Sequence, residues 1–387
     1  MKMKLIIISI LLAISGYPQI KTQEILIDNG IVYKKIINTS DTLSIDILKI
    51  DLSTKDYELR TVKANNLLTA KETTSEMVKA LIDSGYNVVA AINADFFEAD
   101  GEIINNMISD GRFIKAVRFT DSPFNSFVNT QFAITDDNKL LMDQFVFNGQ
   151  LILPNGISEP INRINSKADS NSITLYNSFQ GDCTPTAKDN WIVSEIPLDV
   201  FRQNMDTLFC FASDSFKVGG NLKIESDLIL SSNIKYARYL EREIKTGDTL
   251  RIILQMNPNY LNINSLIGGW PRLVKDGINL ISINDSLEGS LPRFTNSRHP
   301  RTGIGFSKDS SAIFFITVNG RQQTSRGMTL LEFADLMIDE GIFQGLNLDG
   351  GGSTTMVINN NIVNSPSDKT GERKVGNCIM LIKKPKE

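Results

Sequence analysis

The chain contains the same order of local signals twice, over residues 73–95 and again over residues 329–349. Each stretch opens with Thr-x-x-Glu, the pattern of a helix capping box, followed by apolar residues spaced along one helix face. A glycine then ends the helix, and an apolar run indicates a buried strand that leads into an Asn-x-Asp triplet. Because alternate strand residues share a face, each Asn and Asp point the same way. Either two halves of the chain share a motif, or the likeness is coincidental.

Three glycines follow the second copy at residues 350–352, and Ser353 comes directly after them. Glycine loses more backbone freedom on folding than other residues and has no side chain to pack. A run of glycines therefore indicates a tight turn or a place where another group approaches the backbone closely. One interpretation is a plain loop between two strands. We favour the wall of a functional site, because Asn347, Asp349 and a hydroxyl flank the glycines.

The length of 387 residues suits one large domain or two smaller ones, and 41% apolar residues allow a sizeable core. The helix–strand units and the strand-rich middle of the chain predict an α+β fold, with a mixed β-sheet core and a few packed helices. We expect one domain over residues 23–387. Short strands with polar breaks over residues 162–245 indicate a strand-rich elaboration within this domain, or a subdomain.

The N-terminus has the pattern of an export signal, because Lys2 and Lys4 precede an apolar run from Leu5 to Ile14. The run is too short for an ordinary membrane span, and a short core strand is the alternative interpretation. We therefore expect a signal peptide at residues 1–22 and a periplasmic or extracellular protein without a transmembrane anchor. Nucleic acid is not expected as a partner, since the net charge is −4 and no basic tract occurs.

The cysteines and the histidine limit the chemistry that is available. Cys183, Cys210 and Cys378 fit no zinc-binding spacing. Either Cys183 and Cys210 form a disulfide after export, or the thiols stay free and buried. His299 is the single histidine, so a site with several His ligands is excluded. Ser353 is a weak candidate nucleophile, because the chain has no Gly-x-Ser-x-Gly elbow and only this one histidine to serve as base.

Arginines occur in two loops that could bind an anion. Arg298 and Arg301 flank His299, and Arg321 follows an apolar strand at residues 312–318. A planar guanidinium matches two oxygens of a phosphate or carboxylate. The alternatives are a solvated basic loop in the first case and a plain polar connection in the second.

A Gly-Gly-Trp-Pro-Arg segment at residues 268–272 provides a further candidate wall of the site. Gly269 permits a close approach to the backbone. The indole of Trp270 either stacks against a sugar ring or belongs to the core.

The carboxylates of Asp95 and Asp349 are the strongest catalytic candidates. Two carboxylates on converging strand ends are typical of sugar-transfer chemistry. The alternative is that either carboxylate binds a hard cation such as Ca²⁺, together with the side-chain oxygen of Asn93 or Asn347. The sequence identifies no metal and no certain cofactor.

Taken in order, these motifs resemble the phosphodiester glycosidase family. The matching segments are Asn-Ala-Asp-Phe-Phe at 93–97, Gly-Gly-Trp-Pro-Arg-Leu at 268–273, Arg-His-Pro-Arg-Thr-Gly-Ile-Gly at 298–305, Val-Asn-Gly-Arg-Gln at 318–322, Met-Thr-Leu-Leu-Glu-Phe-Ala at 328–334 and Asn-Leu-Asp-Gly-Gly-Gly-Ser at 347–353. Each segment alone is a weak signal, whereas the ordered set is fairly specific and spans most of the chain. The first segment departs from the glycine-richer form that is common in the family, and residues 162–245 match only loosely.

The resemblance implies hydrolysis of the bond between an α-linked, N-acetylglucosamine-like sugar and a phosphodiester of an external glycan. Asp349 or Asp95 would stabilise an oxocarbenium-like state, act as nucleophile or activate water. His299 would donate a hydrogen bond or a proton to the phosphate. The remaining residues would bind the substrate, with the phosphate held by Arg301, Arg321 and Arg298 and the pocket lined by Asn93, Asn347, Gly350, Gly351, Gly352, Ser353, Gly269 and Trp270.

Two other functions remain compatible with these motifs. One is a glycan-binding or envelope polysaccharide assembly protein that keeps the fold without catalysis. The other is a phosphodiesterase that breaks the P–O bond instead of the C–O bond.

Overall fold

The computed structural model describes residues 20–121, 128–188, 190–259, 262–283 and 288–385. The strands of the first half, in chain order, are β1 (Ile20–Asp28), β2 (Ile31–Asn38), β3 (Leu43–Asp51), β4 (Tyr57–Lys63), β5 (Asn87–Asn93), β6 (Met107–Ser109), β7 (Arg112–Val117), β8 (Gln131–Thr135), β9 (Leu140–Asp143), β10 (Val146–Ile152), β11 (Ser158–Ile161), β12 (Arg163–Ile164) and β13 (Ile173–Tyr176). The later strands are β14 (Val193–Asn204), β15 (Thr207–Ala212), β16 (Lys217–Val218), β17 (Leu228–Asn233), β18 (Thr249–Asn257), β19 (Ile263–Gly268), β20 (Arg272–Lys275), β21 (Ile278–Asn279), β22 (Arg301–Phe306), β23 (Ala312–Val318), β24 (Gln344–Asn347), β25 (Met356–Ile358), β26 (Asn361–Ile362) and β27 (Asn377–Lys383). The helices are α1 (Thr74–Asp83), α2 (Lys235–Glu243), α3 (Leu280–Ile283), α4 (Pro292–Asn296) and α5 (Leu330–Asp339).

These strands form three sheets. An eight-stranded sheet has the order β1-β2-β3-β23-β22-β24-β20-β21, and a five-stranded sheet has the order β26-β25-β5-β27-β4. A fourteen-stranded sheet has the order β11-β10-β18-β15-β14-β17-β13-β12-β7-β6-β19-β8-β9, with β16 paired to β14. Nearly all neighbouring strands run antiparallel, and β12 with β13 is a parallel pair.

The eight-stranded and five-stranded sheets pack face to face and bury a common core. Leu48 and Phe315 from the larger sheet belong to the same apolar cluster as Ile92 and Met356 from the smaller one. The other face of the eight-stranded sheet is covered by α5, and the other face of the five-stranded sheet is covered by α1. The arrangement is a helix, two sheets and a second helix in four layers, and it brings β5 and β24 close together.

Both predicted capping boxes are confirmed at the two longest of these helices. Thr73 caps α1 and Thr329 caps α5, and in each case the side chain of the glutamate three residues later bonds back to the backbone N–H of the threonine. The backbone N–H groups of the threonine and of the glutamate each gain a side-chain acceptor in this way, which fixes where the helix begins. Each helix leads, through Gly85 or Gly341, into the buried strand that the sequence predicts.

The predicted α+β class is wrong, because the described chain is mostly β. Strands account for 47% of the structure and helices for 14%. The error arises from the weight given to the two capped helices, each of which covers one face of one sheet only. Most apolar burial is instead achieved by sheet packed on sheet, and the middle of the chain adds the largest sheet of all. The Asn148-Gly149 dipeptide, a sequence typical of a two-residue hairpin turn, lies inside β10 and forms no turn there.

The region predicted to be an elaboration contributes strands β12 to β17 and α2 to the fourteen-stranded sheet and its own apolar core. The domain limits remain a prediction. The predicted signal peptide lies outside the described residues except for residues 20–22, which belong to β1. Cys183, Cys210 and Cys378 are free thiols. None of the helices in the described ranges is long and apolar enough to cross a membrane.

Candidate active site

The two Asn-x-Asp strand ends meet in space. The side chain of Asn93 donates a hydrogen bond of 2.6 Å to the backbone carbonyl of Asp349. In return the backbone N–H of Asp349 donates to the carbonyl of Ala94 at 2.9 Å. These two bonds tie the C-terminal end of β5 to the residues that follow β24, so the position of Asp349 depends directly on Asn93.

Asn93 is fully buried and links three segments of the site. Its side-chain oxygen accepts from the hydroxyl of Thr302 at 2.9 Å and from the backbone N–H of Thr355 at 3.0 Å. Its amide nitrogen is already used by Asp349. Asn93 is therefore a positioning residue, and its side chain has its hydrogen-bonding capacity largely taken up by the protein.

Each glycine of the triplet has a separate structural reason. A Cβ at Gly350 would lie 2.6 Å from the carbonyl oxygen of Pro300, a contact that the backbone cannot relieve. Gly351 has a φ of 63°, which favours glycine, and a Cβ there would lie 3.1 Å from Nη2 of Arg321. A Cβ at Gly352 would lie 2.2 Å from Nη2 of Arg373. The glycines thus permit two guanidinium groups to approach the backbone beside Asp349.

The second of these guanidiniums was not predicted from the sequence. Arg373 lies in the loop between β26 and β27 and is held by a bidentate pair with Asp368, at 2.7 Å from Nε and 3.0 Å from Nη2. Its surroundings in the sequence, Asp368-Lys-Thr-Gly-Glu-Arg-Lys374, have the composition of a solvated loop. No local pattern distinguishes Arg373 from its charged neighbours, and the closure of the loop over Gly352 brings it to the site.

Asp349 is partly buried between these groups. Burial raises the pKa of its carboxyl to about 6, and the nearby Ser353 hydroxyl, the positive charges of Arg373 and Arg321 and the backbone N–H of Gly350 act in the opposite direction. The carboxylate is therefore ionised at neutral pH but can be protonated in mildly acidic solution. Such a balance is common in groups that handle charge or protons in catalysis.

His299 and Arg321 are in direct contact, with 3.2 Å between Nδ1 and Nη2. A guanidinium only donates hydrogen bonds, so Nδ1 accepts and the ring proton of the neutral form lies on Nε2. Burial and the positive charges of Arg301, Arg321 and Arg293 lower the pKa of His299. At neutral pH the imidazole is consequently an uncharged donor through Nε2.

Arg298 and Arg301 are engaged by the protein itself. Arg298 pairs with Glu332 at the start of α5 and donates to the carbonyl of Gly327 at 3.1 Å. Arg301 is buried, and its guanidinium donates to the carbonyls of Met328, Phe294 and Ser297 at 2.9, 3.2 and 2.8 Å. Burial lowers the pKa of Arg301 to about 10. Of the arginines predicted to hold phosphate, Arg321 is the one whose guanidinium adjoins the glycine triplet.

Asp95 is almost completely buried beside the junction of the two strand ends. Its backbone N–H donates to the side chain of Asn377, and its Oδ1 accepts from the amide of Asn105 at 2.8 Å. Burial raises the pKa of Asp95 to about 7, against the opposing effects of the Asn105 hydrogen bond and the charge of Lys115. Its second oxygen, Oδ2, has no hydrogen-bond partner among the described groups. The carboxyl is therefore poised between its two protonation states near neutral pH.

Asn347, Gly269 and Trp270 form one side of the same region. The amide of Asn347 donates to the carbonyl of Trp270 at 2.7 Å, and a Cβ at Gly269 would lie 2.6 Å from the carbonyl oxygen of Asn347. The indole of Trp270 stacks on Phe294 with 4.9 Å between ring centroids, and its edge meets Phe96. The half-buried rings form an aromatic cluster beside Asn347 and Arg301, whose guanidinium lies over the ring of Phe294.

No three His, Cys, Asp or Glu side chains gather as metal ligands anywhere in the described ranges. The predicted residues that come together are Asn93, Asp95, Gly269, Trp270, Asn347, Asp349, the glycine triplet, Ser353, Arg321 and His299. The roles assigned to them from the sequence remain predictions.

Residues 213–382 match the model of the phosphodiester glycosidase family. The resemblance that the ordered motifs indicate is therefore confirmed. The matched segment contains Asp349, Arg321 and Arg373 and leaves out the first Asn-x-Asp triplet. The mouse protein named N-acetylglucosamine-1-phosphodiester alpha-N-acetylglucosaminidase is 31% identical over 162 residues, which are 38% of this chain and 30% of the mouse protein.

Two solved structures share the fold. A hypothetical protein from Synechocystis superposes with a TM-score of 0.73 and 18% identity, covering 96% of this chain and 65% of its own. A protein from Burkholderia pseudomallei superposes with a TM-score of 0.65 and 19% identity, covering 88% of this chain and 74% of its own. At this level of identity, the similarity shows the fold alone.

Proposed function

We propose that this protein is a glycoside hydrolase that cleaves an α-linked, N-acetylglucosamine-like sugar from a phosphodiester. One observation carries the proposal: the half-buried carboxylate of Asp349 lies beside two guanidiniums, Arg321 and Arg373, which approach the backbone at Gly351 and Gly352. A carboxylate suits a sugar cation, and paired guanidiniums suit a phosphate. The site thus offers a carboxylate for the sugar part of a sugar phosphodiester and two guanidiniums for its phosphate part.

The phosphate would be bound by Arg321 and Arg373, with the Nε2–H of His299 as an additional donor. Breaking the C1–O bond leaves both electrons on the phosphate oxygen, so a phosphate monoester departs with more negative charge than the diester carries. Fixed guanidiniums stabilise that developing charge more than they stabilise the ground state. Asp368 holds Arg373 in place through its bidentate pair.

Asp349 would act on the sugar side of the bond. Its negative charge stabilises the oxocarbenium-like state, and the same carboxylate can attack C1 or accept the proton of the attacking water. In the balanced reaction the water oxygen bonds to C1, while its proton ends on the carboxylate or the departing phosphate. Asp95, with its free Oδ2 and a pKa of about 7, is the second carboxyl of the site and can hold a proton near neutral pH.

The sugar preference is taken from the mouse relative, whose name specifies an N-acetylglucosamine phosphodiester. The aromatic cluster around Trp270 offers a surface on which a sugar ring can pack. Export to the periplasm or the extracellular space is part of the proposal and is supported by the basic and apolar N-terminal segment. A glycan phosphodiester outside the cytoplasm is the corresponding substrate class.

The test is hydrolysis of N-acetylglucosamine-α-1-phosphodiesters by the purified protein in 18O-labelled water. We expect label in the released sugar, because the C–O bond breaks. Asp349→Asn should lower kcat by at least a hundredfold, whereas Asp339→Asn, at an exposed position of α5, should leave kcat unchanged. Circular dichroism and thermal unfolding check that both variants fold.

Two results would reject the proposal. Label in the phosphate would mean P–O cleavage and hence a phosphodiesterase. Saturable binding of such diesters without turnover, across a panel that varies the sugar and the aglycone, would instead indicate a glycan-binding protein.

A further inference from the structure

A cavity of about 560 Å³ lies in the fourteen-stranded sheet and is partly open to solvent. Its lining comes from strands that are far apart in the sheet order, such as β18 and β6, so the sheet must curl around it. None of the residues assigned to the candidate active site lines this cavity. Protein interiors rarely contain voids larger than a water molecule, whereas cavities of 300–1,000 Å³ are typical of small-molecule sites.

The floor of the cavity is apolar. Several of its side chains continue the core of the sheet, and Leu228 and Met256 are buried there. Others, among them Phe113, Leu208 and Leu254, are packed against this core and remain only partly buried. Covering such partly exposed side chains with an apolar ligand is favourable, because it removes apolar surface from water.

The rim of the cavity is acidic and bears hydrogen-bond acceptors. Asp136, Asp206 and Asp227 line it, and among the described lining residues Arg112 is the one cation. Arg112 itself donates to the hydroxyl of Ser178 and lies over the ring of Phe179. The rim therefore disfavours an anion such as a phosphate ester.

The rim carboxylates are already fixed by donors from the protein. Asp227 Oδ2 accepts from the backbone N–H of Val200 at 2.8 Å. Asp206 accepts from the Thr207 hydroxyl at Oδ1, at 2.9 Å, and from the side-chain amide of Gln255 at Oδ2. Each carboxylate has further lone pairs for hydroxyl donors. Among the described lining residues Phe113 is the one aromatic side chain. These residues therefore do not form the aromatic cage that typically binds a quaternary ammonium ion.

We propose that this cavity is a second ligand site, distinct from the phosphodiester site, which binds an uncharged amphiphile. The apolar body of the ligand lies on the floor formed by Phe113, Leu208 and Leu254, and its hydroxylated head group donates to Asp206 and Asp227. The source can be a sugar-headed lipid or a free alkyl glycoside, since both present the same chemistry.

Calorimetric titration of the full chain, with ligands below their critical micelle concentrations, tests the charge preference. The probes share an eight-carbon chain and differ in the head group: octyl β-glucoside, octyl sulfate and octyltrimethylammonium. We expect saturable binding of octyl β-glucoside that is at least tenfold tighter than binding of the other two, and at least tenfold tighter than binding of glucose. Equal or tighter binding of the sulfate or the ammonium compound would overturn the proposal, as would equal binding of glucose.

Matched variants test the location. Leu254→Trp fills the floor and should weaken binding of octyl β-glucoside at least tenfold, whereas Ile253→Trp, next to it on β18 and outside the lining, should leave the Kd unchanged. Asp227→Asn should reduce the ratio of the Kd of octyl sulfate to the Kd of octyl β-glucoside. Asp199 is a nearby carboxylate outside the lining, and Asp199→Asn should leave this ratio unchanged. If Leu254→Trp does not fold, intermolecular NOEs from the octyl protons to the methyl groups of Leu208 and Leu254 decide the site. Binding without these contacts would reject it.

The source of the natural ligand is tested separately. Vesicles of neutral phospholipid with and without a glycolipid are sedimented with the protein. Recovery with glycolipid vesicles indicates a membrane source, and recovery of the protein in the supernatant together with octyl β-glucoside binding indicates a free glycoside.

Discussion

The side-chain amide of Asn93 donates a 2.6 Å hydrogen bond to the backbone carbonyl of Asp349, and the N–H of Asp349 returns a bond to Ala94. Asn93 is the last residue of β5 in the five-stranded sheet, and Asp349 follows the end of β24 in the eight-stranded sheet. The junction of the two packed sheets therefore determines where the carboxylate lies. An active site built on rigid strand ends is held more accurately than one built on loops.

Asn93→Ala should lower the free energy of unfolding by about 2–3 kcal/mol. The reason is that the variant leaves the buried N–H of Thr355 and the carbonyl of Asp349 without their partner. Chemical denaturation measures the change. Asn87→Ala, at the exposed start of the same strand, is the control and should stay within about 0.5 kcal/mol of the native protein. Equal losses in the two variants would show that Asn93 has no special place in the junction.

Arg373→Ala should lower kcat/KM for a sugar phosphodiester by about a hundredfold, since it removes one of the two cations that we propose bind the phosphate. Arg326→Ala, which removes an exposed arginine paired with Asp41, should leave kcat/KM unchanged. Steady-state kinetics on both variants gives the comparison. A native value for Arg373→Ala would mean that Arg321 and His299 hold the phosphate without it.

Local signals in the sequence predict α1, α5 and β5, because capping boxes and apolar runs act over a few residues. Arg373 could not be predicted in this way. Its position depends on the loop between β26 and β27 closing over Gly352, and on Asp368 fixing the guanidinium. Its neighbours in the sequence are equally charged and carry no distinguishing pattern.

Arg301 is the opposite case to Arg373. The sequence predicts that it binds phosphate, whereas the structure shows its guanidinium bonded to the protein itself. Its guanidinium is directed to the carbonyls of Met328, Phe294 and Ser297, an arrangement that depends on how α4 and β22 pack. The β-rich class was missed for a related reason. Pairs such as β4 with β27 join opposite ends of the chain, and no local pattern encodes them.

The rate should depend on pH through Asp349. The proposed mechanism needs the carboxylate form of Asp349, whose pKa is about 6, so kcat/KM should fall as the pH drops below about 6. In Arg373→Ala the same acid limb should move to higher pH, since removal of a nearby positive charge makes the carboxyl easier to protonate. A pH–rate profile of both proteins measures the shift. An acid limb that stays in place would assign it to another group.

Stability should depend on pH in the opposite sense. Burial raises the pKa of Asp349 from 3.8 to about 6, so the folded state binds a proton that the unfolded state has released between these values. The contribution of protonated Asp349 to the free energy of unfolding is complete below pH 3.8 and is lost as the pH rises through 6. Asp349→Asn should therefore be more stable than the native protein at pH 8, by about 1–3 kcal/mol, and the gain should vanish near pH 4.

Asp339→Asn, at an exposed position of α5, is the control for this measurement. Denaturation curves at pH 4, 6 and 8 provide the comparison. A loss of stability in Asp349→Asn at pH 8 would contradict the inference that the ionised, partly buried carboxylate of Asp349 destabilises the folded state.

The glycine triplet permits a last prediction, because Gly350 and Gly352 face different neighbours. A Cβ at Gly350 meets the backbone carbonyl of Pro300, which cannot move away, so Gly350→Ala should be destabilised by about 1–3 kcal/mol. A Cβ at Gly352 meets the side-chain ends of Arg373 and Asp368, which can rotate. Gly352→Ala should therefore fold with near-native stability and lose activity as Arg373 is displaced.

Thermal unfolding and steady-state kinetics of the two variants distinguish two effects. Gly350→Ala reports on backbone packing, and Gly352→Ala reports on the proposed binding of phosphate by Arg373. The sharpest readout is kcat/KM, because displacement of Arg373 removes stabilisation of the negative charge that would develop on the departing phosphate. Full activity in Gly352→Ala would mean that the guanidinium of Arg373 is not needed where the structure has it. Loss of folding in Gly352→Ala would mean that the pair with Asp368 is rigid, and that the loop between β26 and β27 is part of the core of the site.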